Sequence, residues 1–65
     1  MMPIRKAILL ILSKGEKTKE EIMSELKISE FQLRFNLKWL LRMGYVEEVK
    51  GKLKITNRGL EYLYQ

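Results

Sequence analysis

This sequence has no cysteine and no histidine. Without cysteine it can build neither a disulfide framework nor a thiolate metal site. Without histidine it lacks the commonest transition-metal ligand and the usual general base near neutral pH. Proline occurs once and glycine four times, so breakers are scarce and each marks a place where an element begins or ends. Long apolar runs are missing too. The longest, Ala7 to Leu12, falls far short of the ~20 residues that span a bilayer. The small-residue cleavage site of a signal peptide is also lacking. The expected location is therefore cytoplasmic. Acidic residues are the minority charge, 8 against 13 Lys and Arg, for a formal net charge of +5. On so small a chain this field favours polyanionic partners, although a charge of this size also serves plain solubility. With 65 residues the chain, residues 1–65, is one domain near the lower limit for a core without staples. Its Lys- and Glu-rich charge set leans towards a thermophilic source.

Punctuation and periodicity give the elements. Pro3 suits the first turn of a helix, and Ile4, Ala7, Ile8, Ile11 and Leu12 follow at helical spacing up to Gly15. This predicts a first helix from about Pro3 to Lys14. Thr18-Lys19-Glu20-Glu21 is a capping box that opens a short second helix bearing Ile22, Met23 and Leu26. Ser29-Glu30-Phe31-Gln32 is a second capping box, with Ile28 and Leu33 at hydrophobic-staple spacing. Phe31 to Trp39 alternates apolar and polar like a strand. Two boundary signals and the absence of an interior breaker still predict a helix over 30–43, stopped by Gly44 with Arg42 near its C-terminal dipole. After Gly44, Tyr45–Val49 and Leu53–Thr56 read as a hairpin around Lys50-Gly51-Lys52. Setting Val49 opposite Leu53 places Glu48 opposite Lys54, and the Glu47-Glu48 doublet suggests a bulge. Asn57 or Thr56 then caps a short last helix carrying Leu60 and Leu63.

The second and third helices are joined by about three residues, the connection length of a helix-turn-helix. At this point the chain resembles the winged helix-turn-helix domains of bacterial and archaeal transcription regulators, over nearly its whole length. Leu37-Lys38-Trp39-Leu40-Leu41-Arg42-Met43-Gly44-Tyr45-Val46 is similar to that family's L-x-x-L-x-x-x-G-hydrophobic-V/I ending of the recognition helix. Leu53-Lys54-Ile55-Thr56-Asn57-Arg58-Gly59 is similar to the x-L-T-x-x-G that leaves the wing, with Ile55 in place of Leu. The resemblance implies an α+β fold: a three-helix core, a β-hairpin wing and a short C-terminal helix. It also implies that helix 30–43 enters the major groove of double-stranded DNA, with the hairpin 45–56 as a wing on the phosphate backbone.

The residues support those roles on their own terms. Lys50, Lys52 and Lys54 cluster at and beyond the hairpin tip, where ammonium groups can meet phosphates and displace counterions. On a wheel of about 100° per residue, Leu33, Leu37, Leu40 and Gly44 share one arc, with Leu41 and Asn36 at its edges. Phe31, Arg34, Phe35, Lys38 and Arg42 lie opposite. Arg34 has the planar fork that fits the guanine edge, and Gln32 the carboxamide that reads adenine. Ser29, Lys19 and Lys38 suit phosphates. The plain alternative is a solvated face with a Glu30–Arg34 pair.

Phe31 and Phe35 admit three readings: contact with thymine methyls, contact with a second protein, or local burial against helix two or the wing. Trp39 is assigned to local burial near the wing and Met43.

Two further classes of function stay open on the same residues. One is a winged-helix protein–protein module using the Phe31/Phe35 surface. The other is a single-stranded nucleic-acid binder with the rings as stacking platforms. A homodimer is expected, because a single copy of this size offers a modest interface on DNA. Its candidate surfaces are the first helix and the segment Leu60–Tyr64. No paired carboxylates, Gly-rich phosphate loop or metal-ligand cluster is legible, so no enzyme, cofactor or small-molecule ligand is inferred.

Overall fold

The computed structural model describes residues 2–65. Its order is α1 (Ile4–Leu12), α2 (Lys19–Leu26), α3 (Glu30–Arg42), β1 (Val46–Val49), β2 (Lys52–Ile55) and α4 (Asn57–Leu63). This is the α+β winged-helix arrangement the sequence predicts, with small shifts at the ends. Pro3 stands at the N-cap with an extended ψ of 148°, not inside the first turn, and its carbonyl accepts the Ala7 N–H at 3.0 Å. Both capping boxes close. The Thr18 N–H donates to Glu21 Oε1 at 2.8 Å, and the Glu21 N–H donates to Thr18 Oγ1 at 3.1 Å. Ser29 and Gln32 repeat the pattern at 3.0 and 3.1 Å. Each box satisfies two N–H groups that a helix start leaves without partners.

The helix ends are equally specific. Gly44 takes φ 76°. Its N–H donates to the Leu41 carbonyl at 3.1 Å, and the Tyr45 N–H donates to the Leu40 carbonyl at 2.9 Å. That pair of bonds is a Schellman ending, which needs a left-handed residue at the turn. The α2 end also turns through a left-handed residue, Lys27 at φ 54°, and there the Lys27 and Ile28 N–H groups both donate to the Met23 carbonyl, the latter at 3.2 Å. A side chain bears there a conformation that glycine would adopt without strain.

The core is wholly apolar. Ile8, Leu9 and Leu12 of α1, Ile22 of α2, Leu33, Leu37 and Leu40 of α3, and Val46 and Leu53 of the hairpin are buried. Among the described residues no polar or charged side chain is buried. The three leucines of α3 are the arc that the wheel assigns to the core, and α1, α2 and β1 all pack against this helix.

The hairpin differs from expectation in register. Its pairs are Val46↔Ile55, Glu47↔Lys54, Glu48↔Leu53 and Val49↔Lys52. Lys50 and Gly51 both have positive φ, 53° and 79°, so the turn holds two residues instead of the expected three. Glu47 thus opposes Lys54, and Glu48, expected there, opposes Leu53. No bulge interrupts these four pairs. Glu48 lies on the core side of the ribbon, yet is exposed near its tip, which is why the doublet looked irregular. Val49 points to the solvent side and is exposed.

Two features anchor this wing. Lys17 pairs with Leu53 in an isolated antiparallel bridge: the Leu53 N–H donates to the Lys17 carbonyl at 2.7 Å, and the Lys17 N–H to the Leu53 carbonyl at 3.1 Å. Thr56 works at the other end. Its hydroxyl donates to the Gly44 carbonyl at 2.6 Å and accepts the Gly59 N–H at 3.0 Å. One side chain therefore caps α4 and ties it to the end of α3. A Cβ on Gly59 would collide with the Tyr45 carbonyl oxygen, so the two segments approach as only glycine permits.

Candidate nucleic-acid interface

The outward face of α3 begins from the wheel: residues opposite the leucine arc have no core to enter. Phe31 is 77% exposed and Phe35 63%. The reading in which they bury locally against α2 or the wing is therefore incorrect. Neither element crosses the helix to reach them. They stack on one another instead, with centroids 6.4 Å apart and planes at 21°. Between them and the start of α2 runs an open groove of about 410 Å³, lined by Lys19, Phe31, Arg34, Phe35, Lys38 and Leu41 with buried Leu37 at its floor. A second, smaller hollow of about 250 Å³ on the other side is lined by Arg5, Phe35, Lys38, Trp39 and Arg42.

The structure thus gathers Lys19, Phe31, Arg34, Phe35 and Lys38 at one place. Lys19 reaches it because the Thr18 cap starts α2 there. Among the described residues the ion pairs are Lys17–Glu25 at 3.3 Å and Lys52–Glu16 at 3.7 Å. The Glu30–Arg34 pair of the plain alternative is not among them, so the cations of this strip face solvent without carboxylate partners. Ser29 and Gln32 stand at the N-terminal entry, occupied by each other. The Ser29 N–H donates to Gln32 Oε1, and the Gln32 N–H donates to Ser29 Oγ. Gln32 therefore has its amide N–H groups to offer while its carbonyl oxygen is engaged.

Lys50, Lys52 and Lys54 are not part of this groove. All are exposed. Lys52 and Lys54 project from the solvent side of β2, and Lys50 occupies the turn. Lys52 is partly engaged by Glu16, an exposed pair of the kind that contributes little and exchanges readily.

Arg5 and Arg42 border the strip as well. The wheel already puts Arg42 outward. Arg5 carries no local signal, because its position depends on α1 crossing α3. Its Nε donates to Asn36 Oδ1 at 3.1 Å, and its guanidinium carbon lies 4.1 Å from the centre of the Trp39 ring.

Trp39 itself is half-buried, as expected for local packing. Its partners are Tyr45 at 5.6 Å, at the entry to the wing, with Tyr62 at 6.0 Å and Arg5, so it also leans on α1 and α4. Tyr45 and Tyr62 stack at 4.5 Å. Lys6 covers Tyr62, with its Nζ 4.6 Å from the ring centre while donating to the Tyr62 carbonyl at 3.0 Å.

The Glu21 carboxyl is displaced in its titration. The Thr18 backbone N–H, donating to its carboxylate, holds it below the usual glutamate value. That is a helix cap's signature and not a catalytic one. Among the described residues there is no metal-ligand group of three and no helix long and apolar enough to cross a membrane.

Residues 2–48 match the family model described as bacterial regulatory protein, arsR family. An uncharacterized protein of Archaeoglobus fulgidus is 49% identical over 63 residues, a match covering 97% of this chain and 72% of that protein. A second from the same organism is 36% identical over 63 residues, covering 95% of this chain and 74% of its own length. A third is 38% identical over 52 residues, covering 80% and 58%. No solved structure matches the chain.

Proposed function

Because the chain belongs to the arsR family of bacterial regulatory proteins, whose members are DNA-binding transcription regulators and not an enzyme class, we propose that it binds double-stranded DNA sequence-specifically. In this reading α3 lies in the major groove and the hairpin rests its lysines on the phosphate backbone. The observation that carries it is the outward strip of α3, where Lys19, Arg34 and Lys38 converge with no carboxylate paired to them. Arg34 reads a guanine edge. Lys19, Ser29, Lys38, Lys50, Lys52 and Lys54 position the domain on phosphates, and Gln32 contributes an N–H donor at the helix entry.

The test is a titration of random and selected duplexes at several salt concentrations. Affinity should fall steeply with salt, and Lys50→Ala should flatten that slope by about one unit for every sequence alike. Arg34→Ala should cost about 1–3 kcal/mol on the selected site and relax its preference at one base pair. If excess random duplex gives no shift at about 50 mM salt, the proposal fails.

The bare Phe31/Phe35 pair favours a second reading, a protein–protein module. That reading predicts tolerance of Arg34→Ala and of Lys52→Ala, with loss of partner binding on Phe35→Ala. Single-stranded binding, the third reading, predicts that unpaired oligonucleotides outcompete duplex.

A homodimer belongs to the same proposal. The two surfaces offered for it, α1 and Leu60–Tyr64, adjoin, because α1 and α4 pack together. Tyr64 is exposed there. A clean monomer by light scattering at high concentration removes the dimer.

A further inference from the structure

Resting on the DNA-binding reading, we propose that Phe31 and Phe35 read the 5-methyl groups of thymines in the major groove, making the preferred site one with two thymines one or two base-pair steps apart. Four observations support this. The rings are the most exposed large apolar side chains of the helix and lie at the centre of its outward face. They are flanked by Lys19, Arg34, Lys38 and Arg42, a setting that matches a polyanion and repels a basic partner. Their centroids lie 6.4 Å apart, between one and two base-pair steps of about 3.4 Å rise along the DNA axis. Leu41 continues the apolar lining of the groove. A phenyl ring has no hydrogen-bond donor or acceptor, so within the major groove the one base feature it complements is the methyl group that distinguishes thymine. Phe31 and Phe35 thus supply preference at positions neighbouring the one where Arg34 supplies hydrogen bonds.

The experiment uses the site selected from random duplex. Each thymine is replaced in turn by uracil, which keeps every hydrogen bond and removes only the methyl. Two positions should weaken binding about four-fold each, the scale of one buried methyl-sized group. At these positions 5-methylcytosine, placed in a C·G pair, should bind more tightly than cytosine in the same pair, which separates methyl contact from recognition of the whole A·T pair. Phe31→Ala should abolish the uracil penalty at one position and Phe35→Ala at the other, while Phe35→Leu keeps part of it. Circular dichroism should show all three variants folded, since neither ring enters the core. If Phe35→Ala binds DNA and retains both penalties undiminished, or if the wild-type protein is indifferent to uracil, methyl reading is overturned while DNA binding stands. If the wild-type protein binds no duplex at all, both fall together.

Discussion

Phe35 and Trp39 stand one turn apart on the same helix and border one hollow, yet what covers each ring differs. Trp39 lies under the Arg5 guanidinium and against Tyr45 and Tyr62, each brought from a different segment. Phe35 touches its twin Phe31 and otherwise faces solvent among cations. Both are large aromatics beside basic residues, so composition does not separate them. What separates them is the far side of the contact. α1 and α4 pass on the Trp39 side, whereas on the other the start of α2 stands off across an open groove. Rings whose partners are built into the fold contribute to stability. Rings left bare on a cationic strip add little to it and are available to an outside partner.

The largest test of this contrast is a pair of truncations. Trp39→Ala should destabilise by about 3 kcal/mol, the low end for large aromatics because the ring is only half-buried. Phe31→Ala and Phe35→Ala should each stay within about 0.5 kcal/mol. Urea denaturation measures both, and equal costs would erase the distinction. Next comes Thr56→Val, which removes the hydroxyl joining the Gly44 carbonyl to the Gly59 N–H. A loss of about 1–2 kcal/mol is expected in thermal melts. Phe31 and Phe35 should keep their surroundings, visible as unchanged ring resonances.

A smaller effect of opposite sign is expected from Lys27→Gly. Relief of the left-handed lysine should stabilise by about 1 kcal/mol and leave duplex affinity unaltered, because Lys27 lies outside the groove.

The smallest concerns pH. The Thr18 N–H lowers the Glu21 pKa in the folded state, so the ionised cap stabilises above the ordinary glutamate value and that stability is lost as pH falls through the lowered one. Glu21→Gln keeps the capping oxygen and should remove this part of the acid slope in melts recorded from neutral to acid pH. An unchanged slope would show that the cap carries none of it.

How much of this was legible beforehand depended on the range of the signal. Both capping boxes, the Gly44 stop and the leucine arc are local patterns, and all three hold. The hairpin register slipped because Lys50 occupies the left-handed region, a choice uncommon outside glycine, asparagine and aspartate. The clustering of Lys19 with Arg34 and Lys38 was partly legible, since each had been singled out by charge and position. Arg5 was not, because no spacing rule connects it to Trp39. Nor did any pattern announce the Lys17–Leu53 bridge, in which backbone groups pair regardless of side chain.

The sequence by itself determined where the helices start and stop and which leucines turn inward. Those outcomes follow from hydrogen bonds and periodicity within a few residues of chain. Only the tertiary structure decided which aromatics are sheltered, because shelter depends on elements far apart in sequence passing the same point in space. That Phe31 is 77% exposed required knowing that no element crosses in front of it.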